Sequence, residues 1–239
     1  MTRLAVVVFP GSNCEHDVAA ALERVGIEAE LVWHKEPSLG NVDGVVLPGG
    51  FAHGDYLRPG AIARFSPIME AVTSSAREGA PVIGICNGFQ VLTEAGLLPG
   101  ALRRNAGLRF VCETVRVKVV TTRSALTARS EVGRVLALPI NHNEGNYTCD
   151  KETLAHLREN DQIVLTYEDN PNGSVGDVAG VCNEQGNVVG IMPHPERASD
   201  PLLGSDDGLE LLASLSDGPK NSRLLSPVRV NPLSAEARS

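Results

Sequence analysis

One cysteine sits where a nucleophile could be presented. The apolar run Pro81–Ile85 leads straight into Gly84-Ile85-Cys86-Asn87-Gly88, and a helix-compatible segment, Phe89–Ala95, begins at once. A strand, G-x-C-x-G and a helix in succession make the nucleophile-elbow arrangement, with sulfur in place of a hydroxyl. The flanking glycines suit a turn too sharp to leave room for side chains. Such a turn puts the sulfur at a helix N-terminus, whose unpaired N–H groups favour thiolate. It also points the Asn87 amide at an oxyanion formed on a substrate.

A thiol that attacks an amide needs a base. His194 lies in Met192-Pro193-His194-Pro195-Glu196-Arg197, just past an apolar strand. Pro195 pushes His194 into an extended conformation. Residues two apart then project to one side, which brings Glu196 towards the imidazole. Cys86, His194 and Glu196 thus match nucleophile, base and orienting carboxylate. His142-Asn143-Glu144 repeats the His-x-Glu spacing without a second flanking proline and ranks second as the base. Cys14-Glu15-His16 reads as a helix start in a loop, and His34 and His156 as ordinary exposed or half-buried residues. Cys112, Cys149 and Cys182 read as structural. A second oxyanion donor is expected near Gly50, in Leu47-Pro48-Gly49-Gly50-Phe51, where glycine backbone can approach a ligand.

The elements that must position these groups alternate. Strands are expected at Leu4–Phe9, Ala29–Trp33, Gly44–Leu47 and Pro81–Ile85, with helices at Glu15–Val25 and Gly60–Arg77. This order implies an α/β, Rossmann-like or flavodoxin-like fold, a mostly parallel sheet with helices on both faces. Ligands gather at the carboxyl ends of such strands, where Cys86 and Gly50 both fall. Alternation over Phe110–Val120, with further runs at Val135–Leu138, Ile163–Tyr167 and Val188–Ile191, suggests an antiparallel extension.

Composition narrows the function classes. The 239 residues are 42% hydrophobic and 21% charged, ordinary globular usage, with a net charge of −8 that disfavours nucleic acid as the main partner. No apolar run is long enough to span a membrane. Five cysteines without a C-x-x-C pair argue against a disulfide framework or a zinc site and for a reducing cytoplasm. Residues 1–215 read as one domain. Residues 216–239, with three prolines, no aromatic residue and four basic against two acidic side chains, read as a flexible tail.

Taken together, Pro48-Gly49-Gly50, Gly84-x-Cys86-x-Gly88-x-Gln90 and His194-Pro195-Glu196 resemble the class I (triad) glutamine amidotransferases. Phe9–Glu15, Gly50–Ala63 and Gly204–Leu209 narrow the likeness to a glutaminase subunit of de novo purine synthesis, over roughly residues 3–215. The resemblance implies hydrolysis of glutamine to glutamate and ammonia through a thioester on Cys86. It implies His194 and Glu196 as the other catalytic residues, Gln90 as a contact to substrate glutamine, and Gly50 and Asn87 as the oxyanion site. Ammonia would pass to a large synthetase subunit, accompanied by a small accessory subunit, which converts formylglycinamide ribonucleotide to its amidine. Asn141-His142-Asn143-Glu144-Gly145 departs at two positions from the Ala-His-Gly-Glu-Gly of that resemblance.

No G-x-x-x-x-G-K-[ST] loop occurs, so no cofactor is expected in this chain, and ATP and magnesium are expected in the synthetase. The Ala52–Arg58 loop, with Asp55 and Arg58 as polar anchors, is the expected docking surface, and Gly49-Gly50 the expected gate. Other readings are an amidotransferase serving another synthetase, a Cys-dependent peptidase or chaperone, and a non-catalytic flavodoxin-like interaction domain.

Overall fold

The computed structural model describes residues 1–216. Buried β-branched runs supply the centre of a nine-stranded sheet. Its parallel half holds β1 (Arg3–Val8), β2 (Glu28–Trp33), β3 (Gly44–Leu47) and β4 (Val82–Ile85). Three of these, β1, β3 and β4, are buried along most of their length, as befits strands covered on both faces. Two small antiparallel strands, β5 (Ala101–Arg103) and β8 (Asn146–Thr148), pair apart from the main sheet. The other half is built from β6 (Val111–Val119), β7 (Val135–His142), β9 (Ile163–Tyr167) and β10 (Val178–Cys182), all antiparallel to their neighbours. Last comes β11 (Val188–Ile191), which joins the halves by pairing parallel to β4 and antiparallel to β10.

The resulting order, β2-β1-β3-β4-β11-β10-β9-β6-β7, reverses direction of travel at β1. At such a switch point the segments leaving the carboxyl ends of adjacent strands diverge and open a crevice. Here the segments after β1, β3, β4 and β11 all open on the same end of the sheet. They carry Cys14, Gly50, Cys86 and His194. Helices α1 (Glu15–Arg24), α2 (Ile68–Arg77), α3 (Asn87–Glu94), α4 (Lys151–Glu159) and α5 (Asp207–Ala213) complete the fold. Their buried residues recur at helical spacing, as Val18, Ala21 and Leu22 do in α1.

Some expectations need correction. The helix expected over Gly60–Arg77 forms only from Ile68, because Pro67 disfavours helical backbone at Ser66, which is extended at ψ 141°. Strand β10, the β5–β8 pair, α4 and α5 were not expected. His34 is buried, its Nδ1 2.9 Å from Ser66 Oγ. Cys112 faces solvent on β6 rather than packing inside. The tail expected over 216–239 lies, from residue 217 on, outside the described residues.

Candidate active site

Cys86 sits between β4 and α3 with φ 50° and ψ −104°. A non-glycine residue held there carries backbone strain, of order 1–3 kcal/mol. Packing on both sides enforces the turn. A Cβ on Gly88 would collide with the Leu47 carbonyl, and one on Gly84 would meet Leu92 and Gly88 at 2.6–2.7 Å. The Cys86 N–H donates to Ile191 O at 2.8 Å, which ties the elbow to β11, and its thiol points to Asn141 O at 3.8 Å on β7. As the first residue of α3, Asn87 has an N–H that no carbonyl of its own helix can accept.

The turn after β11 carries His194 and Glu196. His194 Nδ1 lies 2.6 Å from Glu196 Oε1, and both side chains are 2% exposed or less. The His194 N–H donates to Pro139 O on β7 at 2.8 Å, which fixes the backbone from which the ring projects. Nδ1 is committed to Glu196, so Nε2 is the nitrogen available to Cys86. Burial alone would lower the His194 pKa. The charges of Glu196 and of the Cys86 sulfur outweigh it and raise the value well above that of ordinary imidazole. Helix α5 backs this turn closely. The Gly208 N–H donates to Ala198 O at 2.8 Å, and a side chain at 208 would strike the Pro195 carbonyl.

The glycine loop forms the opposite wall. Gly50 has φ 130°, a conformation that an L side chain strains to adopt, and bridges to Ser12. A Cβ on Gly49 would come within 2.5 Å of His194 Cε1, so the loop presses its backbone against the imidazole. The Asn87 side chain holds the loop. Its Oδ1 accepts from Ala52 N at 3.0 Å, and its Nδ2 donates to Gln90 Oε1 at 2.8 Å and Asp55 Oδ1 at 3.1 Å. Gln90 in turn donates to Glu144 O at 2.6 Å, so its side chain is engaged inside the wall of the site. Burial raises the Asp55 pKa to about 6, opposed by the Asn87 hydrogen bond and reinforced by Glu144.

The two His-x-Glu segments separate clearly. His142 is buried at the end of β7, but its Nδ1 is 3.1 Å from Asn105 Oδ1. Glu144 reaches out to Arg104 at 3.5 Å. Burial, then the His194 charge, pushes the His142 pKa down to about 4. A neutral imidazole without a carboxylate partner is poorly suited to hold a proton from Cys86.

A strained thiol at a helix start, a buried imidazole–carboxylate pair and a glycine loop between them suit acyl transfer to sulfur. Residues 1–206 match the CobB/CobQ-like glutamine amidotransferase domain. The chain belongs to this family. It is 59% identical over 218 residues to the phosphoribosylformylglycinamidine synthase subunit PurQ of Rubrobacter xylanophilus, covering 91% of this chain and 99% of that relative. The PurLQS structure from Thermotoga maritima superposes with a TM-score of 0.84 at 41% identity, over 90% of this chain and 98% of that one. The Trypanosoma brucei CTPS glutaminase domain shares the fold, with a TM-score of 0.59 at 17% identity over 91% and 95% of the two chains. The amidotransferase fold, with parallel and antiparallel halves, is thus the one its sequence implies.

One neighbour of the site was read as only a helix start. Cys14 does precede α1, but it is buried, and its sulfur lies within 4.8 Å of ligating atoms of both His194 and Glu196. The available signal was its position just beyond a strand carboxyl end, next to a Gly-Ser-Asn turn. No helix among the described residues is long and apolar enough to cross a membrane.

Proposed function

We propose that this amidotransferase is the glutaminase subunit that feeds ammonia to the synthetase converting formylglycinamide ribonucleotide to formylglycinamidine ribonucleotide. The observation that carries its chemistry is the buried His194–Glu196 pair beside Cys86 on its strained elbow. The likeness to a phosphoribosylformylglycinamidine synthase subunit over nearly the whole of both chains supports the substrate and partners. Cys86 Sγ attacks the side-chain carbonyl of glutamine as His194 takes the thiol proton. The oxyanion is met by the Asn87 N–H and by backbone near Gly50. His194 returns the proton to the departing nitrogen, and ammonia leaves. Water, deprotonated by His194, then cleaves the thioester to glutamate. Glu196 pairs with the imidazolium each time it forms.

Ammonia is used by the large synthetase subunit, with the small accessory subunit completing the assembly, and ATP and magnesium belong to that synthetase. The absence of a phosphate-binding glycine loop from the sequence supports this division. The loop after Gly50 is the proposed docking surface, but not through the polar anchors expected. Asp55 turns inward to Asn87, and Arg58 forms two 2.7 Å bonds to Glu94. Tyr56 and Leu57, 74% and 92% exposed, are what the loop offers a partner. Docking there would act on Gly49-Gly50, the proposed gate, through a short stretch of chain. The acidic charge and thiol chemistry suit a cytoplasmic enzyme.

The test is reconstitution with the two synthetase subunits. Glutamine and ammonia should each support amidine formation, and Cys86→Ser should abolish only the glutamine-dependent rate. Glutamine-dependent synthesis by that variant would overturn the assignment.

A further inference from the structure

Cys14 has no part in the acyl-transfer scheme, yet it lies between the turn that carries His194 and the glycine loop. Its sulfur accepts a hydrogen bond from Arg197 Nη2 at 3.1 Å and points its own S–H at Asn13 Oδ1, 3.3 Å away. Arg197 follows Glu196 in the turn that carries the base. Asn13 packs under the glycine loop, where a Cβ on Gly50 would sit 2.7 Å from Asn13 N and 2.9 Å from its Oδ1. Between these two partners the sulfur rests against the space where a Gly49 Cβ would be, at 3.3 Å, a position also 3.3 Å from His194 Nδ1. A ring nitrogen of His194 lies within 4.8 Å of the Cys14 sulfur. Cys14 is 1% exposed, so these contacts are not exchanged with water.

A thiol, an imidazole and a carboxylate this close resemble a cation site. The Arg197 guanidinium at the sulfur already supplies positive charge there, which argues against a metal ion.

We infer that Cys14 is a positioning residue of the amidotransferase reaction: its sulfur links the turn bearing His194 and Glu196, through Arg197, to the Gly49-Gly50 loop, through Asn13. The inference rests on the proposed function. The base follows β11. The Asn87 donor follows β4, which pairs directly with β11, but the Gly50 donor follows β3, and no backbone pairing joins β3 to β11 directly. Acyl transfer needs base and donors registered on one carbonyl, and small misplacements of such groups cost large factors in rate. A bridge from one segment to the other keeps that register. Sulfur suits the place because it is large enough to reach Arg197 and Asn13 together beside the His194 ring, and is a weak donor as well as an acceptor.

The test uses the full chain assembled with its synthetase subunits and compares wild type, Cys14→Ala, Cys14→Ser and Arg197→Met. For Cys14→Ala, kcat for glutamine should fall about tenfold to a hundredfold, the worth of a hydrogen bond to a charged group, with KM nearly unchanged. Cys14→Ser, which can still accept from Arg197 and donate to Asn13, should recover much of that loss. Arg197→Met reaches the same link from its partly exposed end and should lose kcat as Cys14→Ala does. Ammonia-dependent synthesis should be equal in all four. A Cys14→Ala kcat within twofold of wild type, a rise in KM at constant kcat, or equal losses for Ala and Ser would overturn the role of Cys14. A wild-type complex without glutamine turnover would instead overturn the amidotransferase reading itself.

Discussion

Replacing Glu196 by Gln keeps the size of the side chain and removes its charge. The carboxylate lies 2.6 Å from His194 Nδ1, and neither side chain is exposed beyond 2%. Water can therefore do little to replace the lost partner. When His194 accepts the thiol proton in the variant, an imidazolium forms in a buried site without a counterion. Breaking one side of a buried charged pair costs about 3–5 kcal/mol. At about 1.4 kcal/mol per tenfold, that is roughly two to four orders of magnitude in the acylation rate. A second effect acts in the same direction. A glutamine amide nitrogen turned towards Nδ1 would favour the tautomer protonated on Nε2, which cannot accept a proton from Cys86. The assay is rapid-quench measurement of thioester formation on Cys86 in the assembled complex, with glutamine affinity measured in parallel. The reasoning fails if Glu196→Gln acylates within tenfold of wild type, or if its whole deficit lies in glutamine binding.

Other expectations follow from the same geometry. Because Cys86 is held at φ 50°, Cys86→Gly should be more stable than Cys86→Ala by about 1–2 kcal/mol in urea unfolding, the reverse of the usual ranking; an Ala variant as stable as Gly would contradict the strain argument. His142→Asn should acylate Cys86 with a glutamine-like electrophile at close to the wild-type rate, while His194→Asn should not, and the opposite pattern would exchange their roles. Asp55, raised to about 6 from 3.8, keeps a proton in the native state that the unfolded chain has released, so it costs stability as pH rises from about 4 to 6. Thermal unfolding of Asp55→Asn should therefore gain on wild type across that window and hold a constant advantage above it, whereas a pH-independent difference would contradict the shift.

The elbow around Cys86 and the closeness of Glu196 to His194 were legible because short local patterns carry both. Gly84 and Gly88 permit only a tight turn around Cys86, whereas the extended segment expected after His194 is instead a single 3-10 turn, Pro195–Arg197, and that turn sets Glu196 against His194. The parallel half of the sheet was legible for a similar reason, since β1, β3 and β4 are short, largely apolar runs, with proline soon after β1 and β3 and just before β4. Cys14 was not, because its importance comes from α1, β3 and the turn after β11 meeting in space, which spacing along the chain does not encode. Asp55 and Arg58 were misread for the same reason. Charged residues in a glycine-rich loop suggest solvent, while their partners Asn87 and Glu94 stand some thirty residues away on α3. The missed strand β10 is a fully buried VAGVC run whose two small residues weaken any periodic signal.

The central claim is that Cys86, served by His194, carries the glutamyl group. Intact-mass analysis followed by peptide mapping of the complex quenched during turnover with glutamine measures it directly. The account predicts a γ-glutamyl adduct confined to the Cys86 peptide, present in wild type and absent from His194→Asn. An adduct on another cysteine, or undiminished labelling of Cys86 in the histidine variant, would contradict it.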